Sequence, residues 1–137
     1  MTSHSTKYVL EMKTVQIAPV RTLMTALKDI LLETNIVFSQ DYTDQNGNHV
    51  PAGIRIINMD KSHTILAHLF LDALKFEHFY CKYPKIIIGV NMFHLFKLIN
   101  TIDNDDTLTI YIEEKDYSDG IVEYLGLKFE NGDIKQS

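Results

Sequence analysis

The 137-residue sequence predicts an α+β domain in which a mostly antiparallel sheet carries two helices on one face. Two segments place apolar residues at the 3.6-residue spacing of helices, and most of the remainder alternates apolar and polar residues as strands do. Several strands follow one another between the helices, so the strand–helix alternation of a parallel sheet is missing. A chain of this length, 45% hydrophobic, can bury a core as one domain without a disulfide or a metal.

The first helix is predicted to begin at Ala18-Pro19, because proline is tolerated in the first turn of a helix. Its apolar positions are Val20, Leu23, Met24, Leu27, Ile30 and Leu31. This stripe is typical of a helix packed on a core. Arg21, Thr25 and Lys28 fall together on a different face.

The second helix is predicted over residues 92–102. Its apolar positions are Met92, Leu95, Phe96, Ile99 and Ile102. His94, Lys97 and Thr101 lie together on another face of this helix. Residues 103–106 follow it as an acidic turn.

The remaining elements are predicted as strands at residues 8–16, 36–39, 53–59, 64–71, 76–82, 86–90, 107–113 and 123–130. Asn46-Gly47 and Pro51 indicate that residues 41–52 form a loop or a long hairpin tip. Residues 114–120 read as a charged turn, and Asn131-Gly132 as a hairpin turn. Residues 1–6 are a polar N-terminal arm, and residues 7–137 form the domain.

Charge limits the classes of partner. The net charge is −5, whereas an ordinary high-affinity DNA-binding protein is basic. Any DNA contact must therefore come from a few basic residues gathered on one face, or be enforced by topology. The lone Cys81 favours a reducing compartment, and no apolar run is long enough to predict a membrane partner.

No catalytic, metal or cofactor site is predicted. A glycine-rich phosphate loop, a nucleophile elbow and paired catalytic carboxylates are all missing from the sequence. His63 and His68 lack the spacing and the companion ligands of a metal site. An EF-hand loop starting at Asp103 would place Glu114 at its twelfth position, but it would place Leu108 where the sharp turn needs glycine.

A series of short blocks carries a family resemblance. The blocks are Thr14-Val15-Gln16, Ala26-Leu27-Lys28-Asp29-Ile30, Met59-Asp60-Lys61-Ser62-His63, Phe79-Tyr80-Cys81, Ile88-Gly89-Val90-Asn91 with Lys97-Leu98-Ile99, and Leu125-Gly126-Leu127-Lys128-Phe129-Glu130. In this order and spacing they resemble the N-terminal domain of the proliferating cell nuclear antigen (PCNA) family. These are the DNA sliding clamps of eukaryotes, archaea and large DNA viruses.

The resemblance implies a ring of six copies of this fold, usually two per subunit, with the helices lining a channel. Arg21, Lys28 and Lys97 would then face duplex DNA and contact phosphates without reading sequence. Thr22 and Asn100 occupy positions that are often basic in the family, so the lining is thinner here. The implied function is that of a processivity factor, which encircles duplex DNA and tethers DNA polymerase and other replication or repair proteins without catalysing a reaction.

The resemblance also implies a pocket for short partner peptides, formed in part by Met59, His63 and Leu66. DNA polymerase and clamp-loader-type proteins would dock there, and the expected location is the nucleus or a viral replication compartment.

Two further departures from the family and two alternative functions stay open. The loop at residues 41–52 looks longer than is usual in the family. The family's domain also continues into one more edge strand and an interdomain connector, of which this chain holds at most the start at 134–137. The chain is therefore expected to be a fragment of a two-domain clamp with an exposed strand at 123–129. The alternatives are a one-domain peptide-binding module that does not encircle DNA, and an enzyme accessory or nuclease on an unrelated α+β fold.

Overall fold

The computed structural model of the protein describes residues 7–31, 33–59, 62 and 66–131. These contain helices α1 (Ile17–Ile30) and α2 (Met92–Ile99). The strands are β1 (Tyr8–Thr14), β2 (Glu33–Ser39), β3 (Tyr42–Thr43), β4 (His49–Val50), β5 (Gly53–Met59), β6 (Leu66–Asp72), β7 (His78–Cys81), β8 (Lys85–Asn91), β9 (Asp106–Glu113), β10 (Tyr117–Ser118), β11 (Ile121–Val122) and β12 (Gly126–Asn131). The α+β class predicted from the sequence is confirmed.

The long strands divide into two four-stranded antiparallel sheets. The first sheet has the order β12-β9-β1-β7, and the second has the order β6-β5-β2-β8. In the described part of the chain, β12 and β6 each lie at an edge of a sheet and pair on one side only. The expected exposed strand is therefore β12, which begins at Gly126 rather than at 123, because the Glu123 amide bonds to the Asp116 carbonyl at 2.9 Å.

Several other boundaries differ from the prediction by one to three residues, and two of these differences have clear local reasons. Helix α2 ends at Ile99 because residues 100–102 tighten into a turn, with the Ile102 amide donating to the Ile99 carbonyl at 3.2 Å. Strand β2 begins at Glu33 rather than 36. Its inward-facing Thr34 is polar, which hides the apolar alternation, and the Thr34 hydroxyl accepts a bond from Asn58 Nδ2 at 2.8 Å.

The predicted loop at residues 41–52 and the predicted charged turn at residues 114–120 each contain a short hairpin. Strands β3 and β4 pair within the predicted 41–52 loop, and Gly47 at its tip has a φ of +84°. Strands β10 and β11 pair across Asp119 and Gly120, which both have positive φ as a type I′ turn requires. The second hairpin was predicted only as a charged turn. The hairpin turn predicted at Asn131-Gly132 extends outside the described residues.

One apolar core joins both sheets and both helices. Its fully buried side chains include Leu10 and Ile112 from the first sheet, Ile86 from the second, Ile17 from α1 and Met92 from α2. The apolar faces of the helices pack against this core, so the opposite faces turn away from the sheets. Neither helix in the described ranges is long and apolar enough to cross a membrane.

Candidate nucleic-acid interface

The two helices lie side by side and run in opposite directions. Arg21, near the start of α1, reaches the residues that follow the end of α2, whereas Lys28, near the end of α1, lies over Phe96 in α2. The pair therefore presents a continuous two-helix surface on the side away from the sheets. All three basic residues predicted to face DNA belong to this pair.

Arg21 is held by contacts within the protein. Its Nη1 donates to Asn104 Oδ1 at 2.6 Å, and its Nη2 donates to the Ile102 carbonyl. The buried Nε has no hydrogen-bond partner among the residues that the structure describes. Arg21 thus ties α1 to the turn after α2. Sequence reasoning missed Asn104 as its partner, because nothing local connects residues 83 positions apart.

Lys28 is largely covered, with 21% of its side chain exposed. Its Nζ lies 2.8 Å from Asp29 Oδ1 and 5.0 Å from the centre of the Phe96 ring. Asp29 is well exposed, so this ion pair is solvent-screened and adds little stability.

Lys97 is exposed, and its Nζ lies 5.1 Å from the centre of the Phe93 ring. Within the described ranges no carboxylate lies within ion-pair distance of Lys97. The Phe93 and Phe96 rings are 6.4 Å apart and inclined by only 25°. Lys28, Phe93, Phe96 and Lys97 form what we call the Lys–Phe cluster.

Sequence reasoning found the two lysines of this cluster but not its aromatic character. Phe96 was assigned to the apolar stripe of α2, and Phe93 was assigned no role. The spacing could have shown it, because positions three and four apart in a helix share a face. Phe93 precedes Phe96 by three residues and Lys97 by four.

The predicted peptide pocket is only partly described. Met59 ends β5 and is paired with Leu66, which begins β6. The Leu66 side chain is 62% exposed, as a docking surface requires. His63 and the side chain of Met59 lie outside the described part of the chain.

The acidic turn after α2 and the thiol of Cys81 are both held by hydrogen bonds within the protein. The acidic turn is closed by the Asp106 amide, which donates to the Asp103 carbonyl at 3.0 Å. Among the residues that the structure describes, no group of three or more His, Cys, Asp or Glu side chains could hold a metal ion. Cys81 is buried. Burial raises the pKa of its thiol, and the thiol donates a hydrogen bond to the Tyr83 carbonyl at 3.3 Å.

Comparison with known proteins places the sequence in a family. A family model described as the N-terminal domain of proliferating cell nuclear antigen matches residues 9–134. A probable DNA polymerase sliding clamp of Acanthamoeba polyphaga mimivirus is 39% identical over 62 residues, which are 45% of this chain and 13% of that protein.

Two further relatives match more of the chain. The probable DNA polymerase sliding clamp 1 of Paramecium bursaria Chlorella virus 1 is 29% identical over 100 residues, 73% of this chain and 34% of that protein. The proliferating cell nuclear antigen of Chaetomium thermophilum is 29% identical over 106 residues, 77% of this chain and 36% of that protein. The matched stretches therefore span little more than a third, or less, of the length of these relatives.

Proposed function

Since the chain belongs to the PCNA family and corresponds to its N-terminal domain, we propose that it is a DNA sliding-clamp domain that acts as a processivity factor. The mechanism is topological: a closed ring cannot dissociate from duplex DNA, so a tethered polymerase stays near the primer end. The gain is in effective concentration, and no bond is made or broken by the clamp.

The observation that carries this proposal is the pair of lysines on the solvent-facing surface of the antiparallel helix pair. Lys28 and Lys97 lie on it, in a chain whose net charge is −5. Two lysines are too few for tight DNA binding, but weak phosphate contacts suit a ring that must slide. Arg21 would add a third contact only by leaving Ile102 and Asn104.

The proposed partners follow from the two viral relatives, which are named as probable DNA polymerase sliding clamps. We propose that duplex DNA occupies the helix side. DNA polymerase and clamp-loader-type proteins would dock short peptides near Met59, His63 and Leu66. The proposed location is the nucleus or a viral replication compartment, where such clamps act.

Ring closure requires more than one copy of this fold. We propose that the chain joins a ring of six clamp domains, usually supplied by two-domain subunits, and that the edges of β12 and β6 that pair with no other described strand are available for joining. The family match favours this function over a one-domain peptide module, and it removes the support for an enzyme accessory or nuclease on an unrelated fold.

A retention experiment tests the proposed function. The chain is incubated with nicked circular DNA at concentrations spanning its self-association, followed by sedimentation. We expect a ring-sized species that stays on circular DNA in high salt and is released when the DNA is cut once. Linear DNA of the same sequence is the matched control. Equal release of a ring-sized species from both DNAs would contradict the proposed function. A monomer at every concentration would contradict ring formation by this chain alone.

A further inference from the structure

We propose that the Lys–Phe cluster is a binding site for single-stranded DNA, in which bases stack on Phe93 while Lys28 and Lys97 contact phosphates. This inference rests on the proposed function only in assigning the helix surface to DNA. It adds a second ligand, unpaired DNA, and it does not require a closed ring.

The exposure of Phe93 is the first observation. Its side chain is 44% exposed on a helix whose fully buried anchors are Met92 and Ile99. The core therefore does not account for an aromatic ring at this position. Together with the nearly parallel Phe96 ring, Phe93 forms an apolar platform at the surface.

The charges around this platform are the second observation. A lysine ammonium lies about as close to each ring, at 5.0 Å from Phe96 and 5.1 Å from Phe93. Asp29 offsets part of the positive charge of Lys28, so the ammonium of Lys97 is the cation of this cluster most available to a phosphate. Aromatic rings interleaved with cations are the arrangement by which proteins hold single strands without reading sequence.

A stacked base should outcompete the lysine–ring contacts of the unbound protein. A cation over an exposed ring is favoured about 2- to 5-fold over the separated groups, whereas a base stacked on an aromatic side chain strengthens binding about 5- to 150-fold. A lysine stem is flexible, so each ammonium can leave its ring for a phosphate while a base takes its place.

The proposal is specific for unpaired DNA. In a duplex the base faces are stacked on one another, and only the backbone and groove edges are accessible. Duplex DNA would therefore use the lysines of the Lys–Phe cluster but gain nothing from Phe93. A partner protein that covered the platform through apolar contacts would not need the lysines.

A fluorescence experiment tests the stacking directly. The chain has no tryptophan, so Phe93→Trp places a single reporter in the Lys–Phe cluster. We expect saturable quenching of this fluorescence by oligothymidylate at low salt, since a stacked base quenches the indole. Leu98→Trp is the matched control, because Leu98 is 49% exposed on the same helix but outside the cluster. Unquenched Phe93→Trp, or equal quenching of both variants, would overturn the proposal.

An affinity comparison separates stacking from general apolarity. Phe93→Leu keeps an apolar side chain but removes the ring. We expect it to weaken oligothymidylate binding about 5- to 150-fold and to leave the affinity for a duplex of equal length unchanged. Unchanged oligothymidylate binding, or an equal loss for both DNAs, would refute the stacking role.

These results can be told apart from failure of the proposed function. Loss of retention on circular DNA with intact quenching would refute the clamp function and support the single-stranded DNA site. Intact retention without quenching would support the clamp function and refute this site. Thermal unfolding of each variant confirms that the fold is retained, which is expected because position 93 is exposed.

Discussion

Arg21 shows how a single side chain can serve the fold in a place where charge alone suggests a ligand. Its guanidinium spans from α1 to the turn after α2 and bonds to the Ile102 carbonyl and to Asn104. The rotation of α1 could be inferred from its apolar stripe, so the side of the helix was predictable. The bond partner was not, because it depends on how two distant segments pack.

Removing this contact should destabilise the protein. We expect Arg21→Ala to lower the free energy of unfolding by about 1–3 kcal/mol, because the Ile102 carbonyl loses its donor in a part-buried site. Urea unfolding measures this effect. Thr22→Ala, at the neighbouring exposed position, should stay within about 0.5 kcal/mol. If Arg21→Ala weakened DNA binding and left stability unchanged, Arg21 would be a DNA contact and not a brace.

Gly126 is required by its cross-strand neighbour. It pairs with Tyr111, whose ring lies over it, and a methyl group at position 126 would overlap that ring. We expect Gly126→Ala to cost about 1–3 kcal/mol as the ring is forced aside. A double-mutant cycle with Tyr111→Ala should recover part of this loss. Purely additive effects of the two changes would show that the overlap is not the cause.

The thiol of Cys81 should react slowly with alkylating reagents in the folded protein. Burial raises the pKa of this thiol, so the neutral form persists to higher pH in the folded chain than in the unfolded one. The resulting stability is fully present below the unfolded pKa and is lost as the pH rises through the folded pKa. Iodoacetamide at mildly alkaline pH should therefore modify Cys81 many times faster in urea than in buffer. Equal rates would show that the thiol is accessible in the native state.

Among the elements, the helices and long strands followed from periodicity, whereas their ends followed from local bonds that periodicity does not report. Strand β5 matched its prediction over 53–59, since Ile54 and Ile56 face the core. The β10–β11 hairpin was missed although Asp119-Gly120 is a strong hairpin dipeptide, because charged flanking residues suggested an open turn. The division of the strands into two sheets depends on long-range pairing, which alternation does not specify.

Strand β12 lies at the edge of its sheet and can pair with a further strand. In the described part of the chain it pairs with β9 alone, so its other side presents backbone donors and acceptors. We expect the β12 amides that point away from β9 to exchange rapidly in a dilute sample. Those amides should become protected as the chain self-associates, which hydrogen exchange at two protein concentrations would detect. Full protection at the lowest concentration would contradict a free edge.

For the whole molecule, the opposition between net charge and local charge determines how DNA can be held. At −5 overall, the chain repels DNA at long range, whereas the helix surface carries Lys28 and Lys97 in one cluster. Such a protein is suited to holding DNA by enclosure with weak contacts. The family and this surface were predictable from ordered sequence blocks, whereas the position of Lys28 beside the aromatic platform emerged only when α1 and α2 were placed side by side.

The most direct test of this account is to map the DNA-contacting surface in solution. An isotope-labelled chain would be titrated with a short duplex at low salt while its backbone amide signals are followed by NMR. We expect signal changes along the exposed sides of α1 and α2, centred on Lys28 and Lys97, and a loss of these changes as salt is raised. Changes confined to the outer faces of the two sheets, or none on either helix, would contradict the assignment of the helix pair to DNA.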